Sequence, residues 1–337
     1  MDLFGGTRET YLGFAEQAAD SPTLAGWSRA VAEDEEVLAW LGELPVLKQQ
    51  PNLVYAAARW HGLAPTAAYA DLRRLLLAND GTVRATILAR ATQTNEAGRL
   101  ATLLPVLARI AAEDGPIALV EVGASGGLTL HPDRWAYRYA TPAGEVRLGA
   151  PGAPVLECAV EGPAPLPDRL PEVAWRGGLD LNPLDVTDHD TARWLETLVW
   201  PEHEDRRVQL RRAIEVARAG PPHLVRGDLT LPTDLDPVLE EAARHGRVVV
   251  QHSAVVAYLE EPDREAFHDA MLDRVAAGTC RWISNESPRV LPRVLGGTVG
   301  ALGTPPVGRF VLALDGRGLA WTHGHGRSLS WWDGEPV

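Results

Sequence analysis

One short segment has the residue types of a ligand-binding turn: Glu121-Val122-Gly123-Ala124-Ser125-Gly126-Gly127. An apolar run from Ile117 to Val122 leads into it, and small residues follow. Main chain can come close to a ligand only where side chains are small. An acidic group at the end of the run suits a cationic or hydroxyl-bearing cofactor. Glu121, Gly123, Ser125 and Gly127 are therefore the expected cofactor cradle, and the plain alternative is a tight turn that serves packing alone. The same letters also satisfy Gly-x-Ser-x-Gly, which makes Ser125 a candidate nucleophile with Asp228 as orienter and His252 as base. Pro132 follows too soon for the long helix that such a nucleophile requires.

Further polar residues fall where apolar runs end. In Gly178-Leu179-Asp180-Leu181-Asn182-Pro183-Leu184-Asp185, Asp180 is placed to hold a ribose diol with Asn182 beside it; an Asn-Pro turn capped by Asp185 is the alternative. The separation of Glu121 from Asp180 exceeds the roughly 20 residues of the usual unit, so an insertion must account for the surplus. Asp228, after Arg226-Gly227, stands at the end of the run from His223, and its plain reading is a turn or cap aspartate. His252 in Gln251-His252-Ser253 titrates near neutral pH when unperturbed and is a candidate general base. With Asn285 and Glu286, it forms the expected catalytic group.

Thr92-Gln93-Thr94-Asn95-Glu96-Ala97-Gly98-Arg99 is unusually polar for a segment that leads into the apolar Leu100 to Ile110. Asn95 and Arg99 are four apart, as are Thr92 and Glu96, so each pair shares a helix face. Gln93, Asn95, Glu96, Arg99 and Asn182 are the expected substrate contacts. A helix start capped by Thr94 is the bland reading. His323-Gly324-His325 has metal-ligand spacing, but no third ligand is evident, so a turn is expected and no metal.

Positioning these groups takes an α/β fold. Tyr11 to Ala19, Trp27 to Leu41, Asn52 onward and Ala67 to Leu77 carry apolar residues at helical spacing, with Pro22, Pro45, Pro51 and Pro65 between them. From Ile117 onward, short apolar runs (His223 to Val225, Arg247 to Gln251, Arg281 to Ser284) alternate with helical stretches at Thr191 to Leu198, Arg206 to Ala219, Pro237 to Arg244 and Arg264 to Ala277. That alternation predicts right-handed crossovers and a Rossmann-like, mostly parallel sheet. Arg309 to Leu314 and Leu319 to Thr322 flank a glycine turn and predict a C-terminal antiparallel hairpin, with a further strand at Arg327 to Trp332. The expected division is a helical region over 1–111 and an α/β domain over 112–337, the latter with a β-rich insertion at about 129–174.

The bulk properties exclude several classes. The 337 residues carry a net charge of −13, which argues against a nucleic-acid partner. No apolar stretch approaches a membrane span, and the N-terminus lacks a secretory pattern, so a cytoplasmic protein is expected. The expected partner is a small-molecule substrate, with no membrane. Cys158 and Cys280 read as buried small hydrophobes in a reducing compartment.

Several of these segments together resemble a known family. Thr92-Gln93-Thr94-Asn95-Glu96, Val120-Glu121-Val122-Gly123-Ala124-Ser125, Leu179 to Asp185, Val199-Trp200-Pro201-Glu202-His203 and Trp282-Ile283-Ser284-Asn285-Glu286 are similar to domain of unknown function 2332, a bacterial and mainly actinobacterial family. The resemblance runs from near Tyr11 to the last strands and implies no established activity. Separately, Glu121 to Gly127 resembles the first motif of class I S-adenosylmethionine-dependent methyltransferases, with Ser125 at the central glycine, and the terminal hairpin is their habit. That similarity implies S-adenosylmethionine as cofactor, with Asp228 facing its adenine amino group, and methyl transfer to a small acceptor. The alternatives are a non-catalytic ligand-binding protein of the same fold and a serine hydrolase using Ser125.

Overall fold

A computed structural model describes residues 6–78, 81–93, 96–295, 306 and 308–332. The chain divides into two compact units, residues 1–94 with 187–211, and residues 95–186 with 212–337.

The first unit is helical: α1 (Thr7–Gln17), α2 (Pro22–Glu33), α3 (Glu35–Gly42), α4 (Pro51–Trp60), α5 (Tyr69–Leu76) and α6 (Thr82–Ala89). Pro22 and Pro51 open their helices, where the missing N–H costs nothing. The run from Trp27 to Leu41 is two helices, because Asp34 takes an extended conformation and its Oδ1 accepts the N–H groups of Glu36 and Val37. Tyr55 is the hub of this core, meeting Tyr11 at 6.0 Å and Trp27 at 5.3 Å edge to face.

The second unit starts with α7 (Leu100–Asp114) and is built on a large mixed sheet. Its strands are β1 (Ile117–Val122), β2 (Ala136–Thr141), β3 (Gly144–Leu148), β4 (Val155–Glu161), β5 (Val173–Asp180), β6 (His223–Arg226), β7 (Arg247–Ser253), β8 (Arg281–Glu286), β9 (Arg309–Leu314), β10 (Arg317–His323) and β11 (Ser328–Trp331). They lie in the order β3-β2-β4-β11-β10-β9-β8-β7-β1-β5-β6. The ladders joining β6, β5, β1, β7 and β8 are all parallel, whereas β8, β9, β10 and β11 form an antiparallel meander. The region expected as an irregular insertion supplies β2, β3 and β4, which continue the same sheet through a parallel ladder between β4 and β11.

In chain order α8 (His189–Leu198), of the first unit, and α9 (Glu204–Ala219), which starts there and ends in the second unit, follow β5; α10 (Pro232–Ala242) and α11 (Glu261–Ala276) belong to the second unit. Strand alternation sorts the central side chains onto two faces. One face carries Val120, Val122, Val248, Val250 and Trp282 against Leu235 and Leu239 of α10 and Phe267 and Met271 of α11. On the opposite face α7 packs on β1, β4 and β9, and Arg99, just ahead of it, lies over the Phe310 ring at 5.8 Å. At the β9–β10 turn Asp315 and Gly316 both have positive φ, 51° and 80°, as a two-residue type I′ hairpin demands. Both cysteines are buried, and burial pushes the Cys158 thiol up to about 12 and that of Cys280 up to about 11. No helix among the described residues is long and apolar enough to cross a membrane.

Candidate functional site at the carboxyl edge of the central strands

The turn after β1 is built from left-handed residues at alternate positions: Gly123 (φ 71°), Ser125 (φ 50°) and Gly127 (φ 67°). This explains the spacing of the motif, since only Ser125 adopts φ > 0 against the preference of its side chain. The turn is tied to β5: the N–H groups of Gly123 and Ala124 donate to the Leu179 carbonyl at 2.8 and 3.1 Å, and Ser125 N–H donates to Asp180 Oδ2 at 2.8 Å. A Cβ built on Gly123 would overlap the Val255 side chain, so that face of the glycine is filled by protein. Gly127 likewise faces Pro222. Turns and a 3-10 segment at Pro132–Arg134 follow, with no helix after Ser125.

Two of the expected aspartates are occupied by local structure. Besides Ser125, Asp180 accepts the Asn182 N–H through Oδ1 at 2.7 Å, and the exposed Asn182 meets Arg226. Asp228 Oδ1 accepts Thr230 N–H and Oγ1–H at 2.9 and 2.7 Å, forming the turn into α10.

The expected catalytic group is divided by the sheet. His252 and Glu286 sit on the α10–α11 face, where His252 Nδ1–H donates to Glu286 Oε1 at 2.9 Å and the imidazole stacks on Trp282. Glu286 Oε1 also accepts Val255 N–H at 2.8 Å and Val256 N–H at 3.4 Å, which fixes the segment after β7. Asn285 lies on the other face, accepting from Thr322 at 2.7 Å and donating to Ser253 Oγ at 3.0 Å.

Glu96 and Arg99 stand near this second face. Arg99 donates to the carbonyls of Ser253 and Gly324 at 2.8 and 2.9 Å, and Glu96 pairs with His325 at 3.0 Å. A Cβ on Gly326 would overlap the Gly98 carbonyl, so the glycines around His325 permit backbone-to-backbone docking of this turn. Gln93 belongs to the first unit, and Asn95 lies outside the described residues.

The group with open chemistry is Glu121. It is paired in register with Gln251 of β7, so both side chains project from the same face. Thr129 joins them: its hydroxyl donates to Glu121 Oε1, and Gln251 Nε2 donates to the Thr129 carbonyl at 3.1 Å and hydroxyl at 3.3 Å. Among the described residues no hydrogen-bond donor reaches the buried Glu121 Oε2 or Gln251 Oε1. Burial pushes the Glu121 carboxyl up to about 8; Asp180 adds to this, while the Thr129 bond and the Arg99 charge oppose it. Gln251 and Thr129 were not among the residues singled out for binding. Parallel pairing with alternation identifies Gln251 once β7 is known to neighbour β1, whereas nothing in the spacing points to Thr129.

A mixed α/β chain with a polar cluster at the ends of its central parallel strands is thus the class of protein defined by fold and site. The profile of a family of uncharacterised proteins conserved in bacteria, DUF2332, matches residues 8–331. The chain belongs to that family. A comparison with curated proteins gives no match.

Proposed function

We propose that the protein binds S-adenosylmethionine and passes its methyl group to a small acceptor. Support comes first from the sheet. Along the order β6-β5-β1-β7-β8, chain appearance runs third, second, first, fourth, fifth, which is the order of a Rossmann-like doubly wound sheet. Its winding reverses between β1 and β7, and ligands of such sheets bind outside the carboxyl ends at that reversal. The observation that carries the reading is what stands there: Glu121 Oε2 and Gln251 Oε1, two buried acceptors that no donor among the described residues satisfies. Buried polar atoms are rarely left so. A ligand that brings hydrogen-bond donors and positive charge fits this pair, and the methionine ammonium of the cofactor is such a group.

When bound, the cofactor supplies an electrophilic methyl group. Glu121 and Gln251 would hold its ammonium, and Thr129 keeps both side chains aimed. The Gly123 face filled by Val255 contributes no cradle, and the Asp228 carboxylate is committed to Thr230. His252, on the far face, has no part in binding. Catalysis then rests on positioning donor and acceptor, which contributes several kcal/mol of barrier lowering. Thermal denaturation with S-adenosylmethionine, S-adenosylhomocysteine, nicotinamide dinucleotides and ATP tests this. At a hundredfold excess over Kd the first two should stabilise the chain by about 2.7 kcal/mol, and the others should not. Silence from both adenosyl compounds in the folded protein would remove the reading.

A further inference from the structure

The same pair of oxygens has a consequence for protons, and it rests in part on the cofactor reading above. Glu121 is 8% exposed and Gln251 1% exposed, so neither orphan oxygen can turn to bulk solvent. Glu121 Oε1 already takes the Thr129 hydroxyl hydrogen, and the Gln251 amide nitrogen is spent on Thr129. What remains on each side chain, in register across β1 and β7, is one acceptor that receives no hydrogen from the described residues. A carboxyl in such a place is held neutral by its surroundings, and its own O–H is then a hydrogen that the amide oxygen can accept. A cationic donor would reverse the preference, because an ammonium favours the carboxylate and supplies hydrogens to both oxygens.

We propose that Glu121 and Gln251 form a subsite for a primary ammonium group, and that filling it expels the Glu121 proton to solvent. The exchange balances: the ammonium keeps its hydrogens, the carboxyl loses one proton, and the buffer takes it. The charged groups facing Glu121 are Arg99, from the segment ahead of α7, and Asp180, at the end of β5. Arg99 spends its Nε–H and one terminal N–H on the Gly324 and Ser253 carbonyls, and Asp180 accepts two main-chain N–H groups; their charges oppose one another at Glu121. Neither replaces the missing donor.

Isothermal titration calorimetry of the full chain at pH 7, in phosphate and in Tris, tests the exchange. The probes are S-adenosylhomocysteine and ethylammonium chloride. Binding should release close to one proton per ligand, read from the difference in heat between the buffers. The Glu121→Gln variant should bind at least tenfold more weakly and release none. Ethylammonium binding with proton release beside a silent S-adenosylhomocysteine would keep the subsite and discard the cofactor. S-adenosylhomocysteine binding with equal heats in both buffers would keep the cofactor and overturn the subsite. Failure of both probes to bind would overturn the two together.

Discussion

Replacing Glu121 with glutamine should make the protein more stable, and by an amount that depends on pH. In the unfolded chain this carboxyl titrates near its ordinary value of 4.5, whereas burial raises it to about 8 in the fold. Below pH 4.5 both states hold the proton and the residue contributes nothing to the pH dependence. Between those values the unfolded chain gives up the proton and the folded chain keeps it, so the unfolded state gains about 1.4 kcal/mol per pH unit. The loss reaches about 3 kcal/mol at pH 7 and levels off near 5 kcal/mol above pH 8. Glutamine is neutral throughout. Its amide oxygen can still accept from Thr129, and its nitrogen can donate toward Gln251, which a carboxylate cannot do. Urea denaturation of wild type and Glu121→Gln at pH 5, 6, 7 and 8, followed by circular dichroism, measures the difference. The two stability curves should diverge as pH rises, with the variant above. Parallel curves would show that Glu121 is ionised in the folded state, and the argument from its orphan oxygen would fail.

Two further outcomes follow from the turn after β1. Gly123→Ala should cost about 2–5 kcal/mol, from the left-handed conformation and the overlap with Val255, and adding Val255→Ala should recover the overlap and leave about 1–2 kcal/mol; denaturation midpoints of the single and double variants decide it. A fluorophosphonate probe should not label the protein, because no helix follows Ser125 and the buried His252 imidazole is bonded to Glu286 and stacked on Trp282. Labelling of wild type but not of Ser125→Ala would restore the nucleophile reading.

Elements whose signal is local were legible in the sequence. β1 begins and ends where the apolar run does, and the hairpin turn falls on Asp315-Gly316, inside the glycine turn expected over 315–318, with β10 already starting at Arg317. The run from Trp27 to Leu41 read as one helix because periodicity continues across Asp34, while the break comes from a side chain accepting backbone N–H groups two and three residues ahead. The place of β2, β3 and β4 was not legible. Their membership of the main sheet depends on pairing Ser328–Ser330 with Ala159–Glu161, a contact between distant segments that no local pattern encodes. The site shows the same limit. Glu121 and Asn285 were recognised as polar ends of buried strands, but whether a neighbour such as His252 shares their side of the sheet depends on register. Asp180 and Asp228 have the residue type of ribose and adenine contacts, yet both carboxylates bind main-chain N–H groups of nearby turns.

Glu286 and Glu121 make the functional distinction sharper than residue type does. Both are buried acids within the last two residues of adjacent or nearly adjacent parallel strands, so position alone gives them equal claims. Glu286 gathers His252 Nδ1–H and the N–H groups of Val255 and Val256 on one oxygen, which holds the segment that covers Gly123. Glu121 has one hydroxyl on one oxygen and, among the described residues, no donor on the other. A satisfied buried acid organises the fold around itself; an unsatisfied one is stable only as the neutral acid or with a ligand that completes its bonding. On the proposed reading the ligand is held at Glu121, while Glu286 fixes the segment after β7; His252 Nε2, buried on the opposite face, also has no hydrogen-bond partner among the described residues.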